Sequence, residues 1–291
     1  MCKRPCDAIM APVVTQLPLL LLPGEIMTHI MREMAREELN WFIGLLYVNR
    51  DSFERLPHFL SLIIGPSLKI RLDDYGYHKN VYYKTLARYL APSIESLSLD
   101  NYRGKTLTSS FIATSFTALR HLSLSETGTF QRPEDLSLMT QLRRLDLAYS
   151  KRSDFFDLSP QIYRLSGLKY LDLGNSTAIN NNGLASLTGL VTLDLSHNIV
   201  IDGCALAGLT KLESLNLTSY RRLHLPRDIK HLTNLRELYL PFIHNESAMI
   251  VTMSTLSQLK RVVIKDATPR LLLLLRSLFV NMEIVSGSSS Y

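Results

Sequence analysis

Three aspartates that follow one short pattern are the residues of this sequence best placed to do chemistry. Asp146, Asp172 and Asp194 each stand between two leucines in a Leu-Asp-Leu triplet, 26 and 22 residues apart. Carboxylates brought side by side repel one another, and this raises some of their pKa values unless a cation lies among them. We therefore expect them to accept a Lys or Arg side chain of a partner protein, with Arg144 as an internal partner. The alternative is that they only hydrogen-bond to neighbouring side chains.

Catalytic motifs are missing from the sequence. It contains no H-E-x-x-H, no G-x-S-x-G, no P-loop and no dinucleotide-binding fingerprint. Cys2 and Cys6 form a C-x-x-x-C without a second pair, so a zinc site is not predicted. Cys204 is expected in the core. We therefore expect a non-catalytic binding protein without a metal or cofactor.

The composition limits the classes of partner and location. With 46% hydrophobic and 20% charged residues, the 291-residue chain can form a large core. The net charge of +6 comes without a dense Lys/Arg block, so nucleic acid is not an expected partner. The apolar runs are far shorter than the ~20 residues that a bilayer requires, so no membrane is expected. Three cysteines favour a reducing compartment, the cytoplasm, with the nucleus as an alternative.

A repeat runs through the last two thirds of the chain. The hexamer L-x-x-L-x-L recurs eight times at steps of 22 to 26 residues, and a degenerate ninth copy begins at Phe279. The eight copies start at Ile94, Leu119, Leu142, Leu168, Leu190, Leu212, Leu235 and Leu259. The last two apolar residues of each hexamer alternate with mostly polar ones, as in a half-buried strand. One such strand cannot bury its apolar face alone, so we expect the units to stack into a parallel sheet.

These hexamers resemble the leucine-rich-repeat family over about residues 66 to 285. The resemblance implies an α/β solenoid, a parallel sheet curved into an arc, with a repeat domain over residues 58–285 including its terminal caps. Asn198 in LDLSHN matches the Asn of that family and is expected to bond the backbone of its turn. The repeats from Gly183 and Gly203 also resemble the GALA-type repeats of some bacterial effectors.

The residues that alternate with the strand leucines are expected on the concave face, where a partner protein would bind. Eight strands about 4.8 Å apart give a face that suits a peptide or protein surface better than a small metabolite. The predicted partner-binding residues are His121, Arg144, Asp146, Tyr170, Asp172, Asp194, Asn216, Tyr239 and Arg261.

The two ends of the repeat domain require caps. Thr268 followed by Pro269 predicts the start of a helix that continues from Leu271 to Phe279 and closes the core with its leucine-rich face. Residues 286–291 are expected to form a flexible tail, and residues 1–16 a disordered or loose N-terminus.

Residues 17–57 do not follow the repeat and predict a small α-helical bundle. Their pattern resembles the F-box, at Leu22, Pro23, Glu25, Ile26, Ile30, Leu39, Val48, Arg50 and Phe53. The resemblance implies a bundle that binds a Skp-type adaptor protein of a cullin-type ubiquitin ligase. The implied adaptor-binding residues are Leu22, Pro23, Ile26, Ile30, Leu39 and Val48.

An F-box-like bundle directly before a repeat domain leads us to expect one of two functions. The first is a substrate receptor of a cullin-type ubiquitin ligase, whose repeats bind an unknown target protein and whose helices bind the adaptor. If the chain is a host-directed effector, it would act in the host cytoplasm. The second is a stand-alone repeat interaction module whose N-terminal helices only cap the solenoid.

Overall fold

The computed structural model describes residues 94–100, 109–126, 133–150, 158–220, 227–241 and 245–287. The strands of this part are β1 (Ser96–Ser98), β2 (His121–Ser123), β3 (Arg144–Asp146), β4 (Tyr170–Asp172), β5 (Thr192–Asp194), β6 (Ser214–Asn216), β7 (Glu237–Leu240), β8 (Arg261–Lys265) and β9 (Glu283–Gly287). The α-helices are α1 (Ser109–Ser115), α2 (Ser159–Ile162), α3 (Asn181–Ala185), α4 (Glu246–Thr255) and α5 (Pro269–Leu278), and 3₁₀ turns cover Pro133–Leu138 and Gly203–Leu206.

The described strands form one parallel sheet in which each strand pairs with the next in sequence order, from β1 to β9. The register places the central apolar residues of the strands in one row. The row begins with Leu97, Leu122 and Leu145, and it ends with Ile284 of the degenerate ninth copy, which pairs with Val262. The predicted repeat solenoid is therefore confirmed over these residues.

Buried leucines hold the repeats together. In each strand the central apolar residue, such as Leu145 or Leu193, is almost completely buried. The return segments add their own apolar residues, including Ile229, Leu232 and Leu235. Because every unit fills its own layer and touches the next, the core is one continuous cluster, as expected for a solenoid.

A sharp turn follows most strands, and after β2 to β6 its turn residue stands three residues beyond the end of the strand. The turn residue has a positive φ between 50° and 58°, although none of these residues is glycine. They are Glu126, Tyr149, Asn175, His197, Ser219 and Asp266. The backbone N–H of Tyr149 donates to Gly174 O at 2.8 Å, and the N–H of His197 donates to Thr218 O at 2.9 Å. Backbone bonding between neighbouring units therefore continues through the turns and favours the left-handed conformation there.

The last helix begins as the sequence predicts. The Thr268 side chain accepts a hydrogen bond from Leu271 N, and Pro269 is the first residue of α5. Leu271 and Leu275 are buried, whereas Leu273 is 69% exposed. Only some of the leucines of α5, Leu271 and Leu275 among them, therefore close the core as predicted. After α5 the sheet continues through Gly287, so Ser286 and Gly287 lie in β9 where the sequence predicted the flexible tail.

The N-terminal predictions lie outside the described residues. They comprise the loose N-terminus over 1–16, the helical bundle over 17–57, and the beginning of the repeat domain over 58–93. Within the described ranges, none of the helices has both the length and the apolar character needed to span a bilayer.

Candidate functional site

The candidate site is a column of side chains on the open face of the sheet. Strand pairing places Asp146 beside Asp172, and Asp172 beside Asp194. The column begins with Ser98 and Ser123 and continues beyond the aspartates with Asn216 and Tyr239. All of these residues are half-buried. The sequence pattern therefore predicted correctly which three carboxylates lie side by side.

Each aspartate uses one carboxylate oxygen to close the turn after its own strand. Asp146 Oδ1 accepts from Ala148 N at 2.9 Å, and Asp172 Oδ1 accepts from Gly174 N at 2.8 Å. Asp194 Oδ1 accepts from Ser196 N at 2.7 Å. These bonds between a side chain and the backbone two residues later orient the carboxylates in the same way. The donors to the three Oδ1 atoms are thus backbone N–H groups and not the neighbouring side chains that the sequence suggested.

The second carboxylate oxygens differ along the column. Asp194 Oδ2 accepts from Asn216 Nδ2 at 2.7 Å. Within the described ranges, the salt bridges join Arg120 to Glu95, Arg236 to Glu213 and Arg261 to Glu283, all away from the three aspartates. None of the three aspartates therefore forms a salt bridge with a described cation.

The pKa values of two column carboxyls are raised. Burial is the main reason that the pKa of Asp172 rises from 3.8 to about 7, and the charges of Asp194 and Asp146 raise it further. The Gly174 N–H and the Arg144 guanidinium act in the opposite direction. Burial also raises the pKa of Asp146. The crowding expected from the sequence gives the correct direction of the shift in pKa, but partial burial is its larger cause.

Arg144 and Tyr170 form a stacked pair beside the aspartates. Strand pairing places them in one row, and the guanidinium carbon of Arg144 lies 3.6 Å from the centroid of the Tyr170 ring. Such a cation–π contact fixes the flexible arginine over the sheet. Arg144 thus acts on Asp146 and Asp172 only through its electrostatic field, not as a salt-bridge partner.

The remaining predicted concave residues lie on the same face but not in one cluster. His121 is exposed and pairs with Arg144 in the row beside the column. Asn216 Oδ1 accepts from Thr218 N at 2.9 Å and so repeats the bond of the aspartates. Tyr239 is half-buried, and Arg261 lies 3.6 Å from Glu283 at the far end of the sheet.

Asn198 bonds the turn backbone as predicted. Its Nδ2 donates to Leu173 O and Ser176 O, and its Oδ1 accepts from Val200 N and Ile201 N. This side chain is buried and ties two neighbouring units together.

Tyr220, the corresponding residue of the next unit, also bonds to the backbone. Its hydroxyl donates to Ile201 O at 2.7 Å. This contact could not be predicted from the repeat pattern, because a tyrosine does not match the Asn expected at that position.

The prediction that Cys204 lies in the core is wrong, because Cys204 is exposed. Its 3₁₀ turn directs Ala205 and Leu206 into the core instead. Among the described residues, no group of three or more His, Cys, Asp or Glu side chains could hold a metal ion.

The predicted adaptor-binding residues lie outside the described part of the chain. They are Leu22, Pro23, Ile26, Ile30, Leu39 and Val48. Their role therefore stays a prediction from the sequence.

No family model and no curated protein matches the sequence. Among solved structures, the chain is similar to an internalin from Listeria monocytogenes, with 20% identity over 69% of this chain and 64% of the internalin, and a TM-score of 0.48. The match thus spans less than two thirds of that protein. A second Listeria monocytogenes internalin, C2, shares 20% identity over 69% of this chain and 75% of its own, with a TM-score of 0.44.

A TLR13–ssRNA13 complex shares 19% identity over 70% of this chain and 34% of the TLR13 chain, with a TM-score of 0.44. The fold of the present chain follows from its own strands, one for each repeat, paired in parallel and in sequence order. The described part of the chain is accordingly a solenoid of leucine-rich repeats.

Proposed function

We propose that the concave face of the sheet binds a basic segment of a partner protein and that the chain itself is non-catalytic. The observation that carries this proposal is the row of Asp146, Asp172 and Asp194, in which none of the three carboxylates has a salt-bridge partner among the described residues. A Lys or Arg side chain of the partner would supply the missing cation.

The raised pKa values support this role of the column. A carboxylate that is partly removed from water without a cation costs free energy, and this cost raises the pKa of Asp172 to about 7. A bound guanidinium would offset part of that cost, because charge-assisted hydrogen bonds are about twice as strong as neutral ones. Binding of a basic segment should therefore lower the pKa of Asp172.

The first test measures peptide binding to the full chain by fluorescence anisotropy, with an arginine-rich peptide as the probe. Changing Asp146→Asn, Asp172→Asn and Asp194→Asn together should weaken binding about tenfold, as expected for the loss of a few partly exposed ion pairs. The asparagine oxygens still accept the three turn bonds, so the fold is expected to persist.

The matched control removes the same number of negative charges away from the column. Glu126→Gln, Glu213→Gln and Glu246→Gln together should leave binding nearly unchanged. If both triple variants lose affinity equally, the attraction is a net-charge effect, and the proposal for the column is wrong.

We further propose that the chain is the substrate-recognition subunit of a cullin-type ubiquitin ligase, acting in the cytoplasm or nucleus. The support is the F-box resemblance of residues 17–57 directly before the repeats. A Skp-type adaptor bound there would hold the target near the ubiquitin-transferring enzyme, and tethering turns a bimolecular encounter into a local one.

A pull-down of a purified Skp-type adaptor by the full chain tests this role. Ile26→Asp plus Ile30→Asp should abolish retention of the adaptor, because it places charges on the predicted apolar face. Thr28→Asp plus Arg32→Asp, on the opposite side of the same predicted helix, should retain it. A folded wild-type chain that does not retain the adaptor would favour the stand-alone interaction module.

A further inference from the structure

An open pocket lies on the concave face over the first four strands. It has a volume of about 560 Å³ and reaches from Ser96 to Tyr170. Two rows of side chains cross its floor. One row contains His121 and Arg144, and the other contains Ser123 and Asp146. The pocket therefore has a basic side and an acidic side.

Arg144 is the centre of the basic side. Its guanidinium is held over the Tyr170 ring, and it is exposed and forms no salt bridge with a described carboxylate. A guanidinium has five N–H donors in a planar fork that matches a carboxylate. Arg144 is therefore available to receive an acidic group of a ligand.

Two further cations line this side of the pocket, and backbone carbonyls hold both of them. Arg143 Nη1 donates to Gly167 O at 2.9 Å, and Lys169 Nζ donates to Gly189 O at 3.1 Å. These bonds fix the two side chains without neutralising their charge. The field on the basic side consequently favours an anionic group.

The acidic side consists of Asp100 and Asp146. Asp100 accepts from Ser98 Oγ at 2.6 Å, from Ser123 Oγ and from Ser125 N at 3.1 Å, so its position is fixed by three donors. Asp146 is fixed by Ala148 N, as described above. Both carboxylates line the pocket and favour a cationic group.

Arg144 and Asp146 stand two residues apart on the same strand, and this spacing determines the ligand. Two residues of a parallel strand rise by about 6.6 Å, which is also the separation of side chains i and i+2 on one face of an extended peptide. From this geometry we infer that the pocket binds an extended peptide segment in which one residue separates an acidic from a basic side chain. The inference rests on the proposed function, since it names the segment that the concave face would select.

The experiment compares peptides of identical composition and net charge on the full chain. In one peptide a single residue separates the acidic and basic residues, and in its isomer they are adjacent and so project to opposite faces. The first should bind about fivefold more tightly, the factor that corresponds to one ion pair at the strong end of the exposed range. Equal affinities of the wild-type chain for the two isomers would overturn the inference.

Variants connect this preference to the basic side of the pocket. Arg144→Gln should remove the difference between the isomers, and Arg144→Lys should keep part of it, because the charge remains. Arg236→Gln serves as the matched control, since Arg236 is an exposed arginine directly before β7 and outside the pocket. It should preserve the full difference. A preference that persists in a folded Arg144→Gln variant would also overturn the inference.

Two outcomes distinguish a failure of the further inference from a failure of the proposed function. If the triple asparagine variant weakens both isomers but the wild-type chain does not distinguish them, the concave face binds basic segments without reading an acidic residue. If the triple variant weakens neither isomer, the proposed function itself is wrong and the inference falls with it.

Discussion

The units around β3–β5 and those around β7–β9 share one backbone plan but differ in the column that crosses the sheet. In the first region the column is Asp146, Asp172 and Asp194. In the second it is Tyr239, Val263 and Val285. Parallel pairing and a leucine core are common to both. The core leucines therefore form the common scaffold, whereas a single alternating position determines whether a unit presents a charged or an apolar side chain.

The return segments of the two regions differ as well. Around β3–β5 they contain short helices, such as α2 with four residues and α3 with five. Before and after β8 they contain α4 and α5, with ten residues each. In the first region, buried side chains such as Asn198 bond the turn backbone. The corresponding position after β8 is Ala267, which has no polar side chain.

The largest effect is expected at Asn198, whose side chain forms four bonds with backbone groups. Asn198→Ala should lower the free energy of unfolding by about 4 kcal/mol, because buried backbone groups lose their partners. Urea denaturation measures this loss. Asn234→Ala removes one exposed bond to Thr210 O and should cost less than about 1 kcal/mol. Similar losses for both would contradict the importance of the buried bonds.

A second prediction compares a leucine of the first region with one of the last helix. Leu145→Ala should cost about 3 kcal/mol, since Leu145 is fully buried and a cavity would remain. Leu273→Ala should change the free energy of unfolding by less than about 0.5 kcal/mol, because Leu273 is 69% exposed. Chemical denaturation of both variants measures the two changes in the free energy of unfolding. An equally large loss at Leu273 would show that this side chain is packed in solution.

The acidic column should make the stability depend on pH in the first region. Asp172 ionises near 3.8 when unfolded and near 7 when folded, so the folded state holds a proton that the unfolded state has released. The stabilisation from this proton is complete below about pH 4 and is lost as the pH rises through 7. Asp172→Asn, which cannot ionise, should therefore be more stable than the wild type at pH 8.5.

The same two proteins at pH 5 provide the control, because Asp172 is then mostly protonated in the folded wild type. The difference in urea midpoint between variant and wild type should become smaller there. A difference that does not change between pH 5 and pH 8.5 would mean that Asp172 has an ordinary pKa in the folded protein.

The smallest effect is expected at Gly174, whose N–H donates to Asp172. A Cβ at this position would lie 3.0 Å from Ser196 Oγ and 3.1 Å from Asp172 Oδ1, closer than comfortable packing allows. Gly174→Ala should cost about 1 kcal/mol and disturb the titration of Asp172 followed by NMR. Gly208→Ala is the control, since its new Cβ would meet nothing closer than 3.9 Å. Equal behaviour of the two variants would show that the column tolerates the added methyl group.

Much of the fold could be predicted from the sequence, because the repeat is local and regular. The hexamers predicted every described strand. Even the degenerate copy that begins at Phe279 forms a strand, in which Ile284 pairs with Val262. Cys204 was predicted wrongly because its neighbours Ala205 and Leu206 occupy the core positions of that turn. The positive φ of Tyr149 was also missed, since bulky residues seldom adopt it without support from neighbouring units.

The sequence by itself determined the period, the strand residues and the alignment of the three aspartates. A regular step with alternating side chains leaves only one register that buries every leucine. The tertiary structure alone decided that the three carboxylates lack a described salt-bridge partner, how far burial raises the pKa of Asp172, and that Arg144 stacks on Tyr170. Those properties depend on groups brought together from strands 22 to 26 residues apart, and the electrostatic environment exists only once the strands are packed.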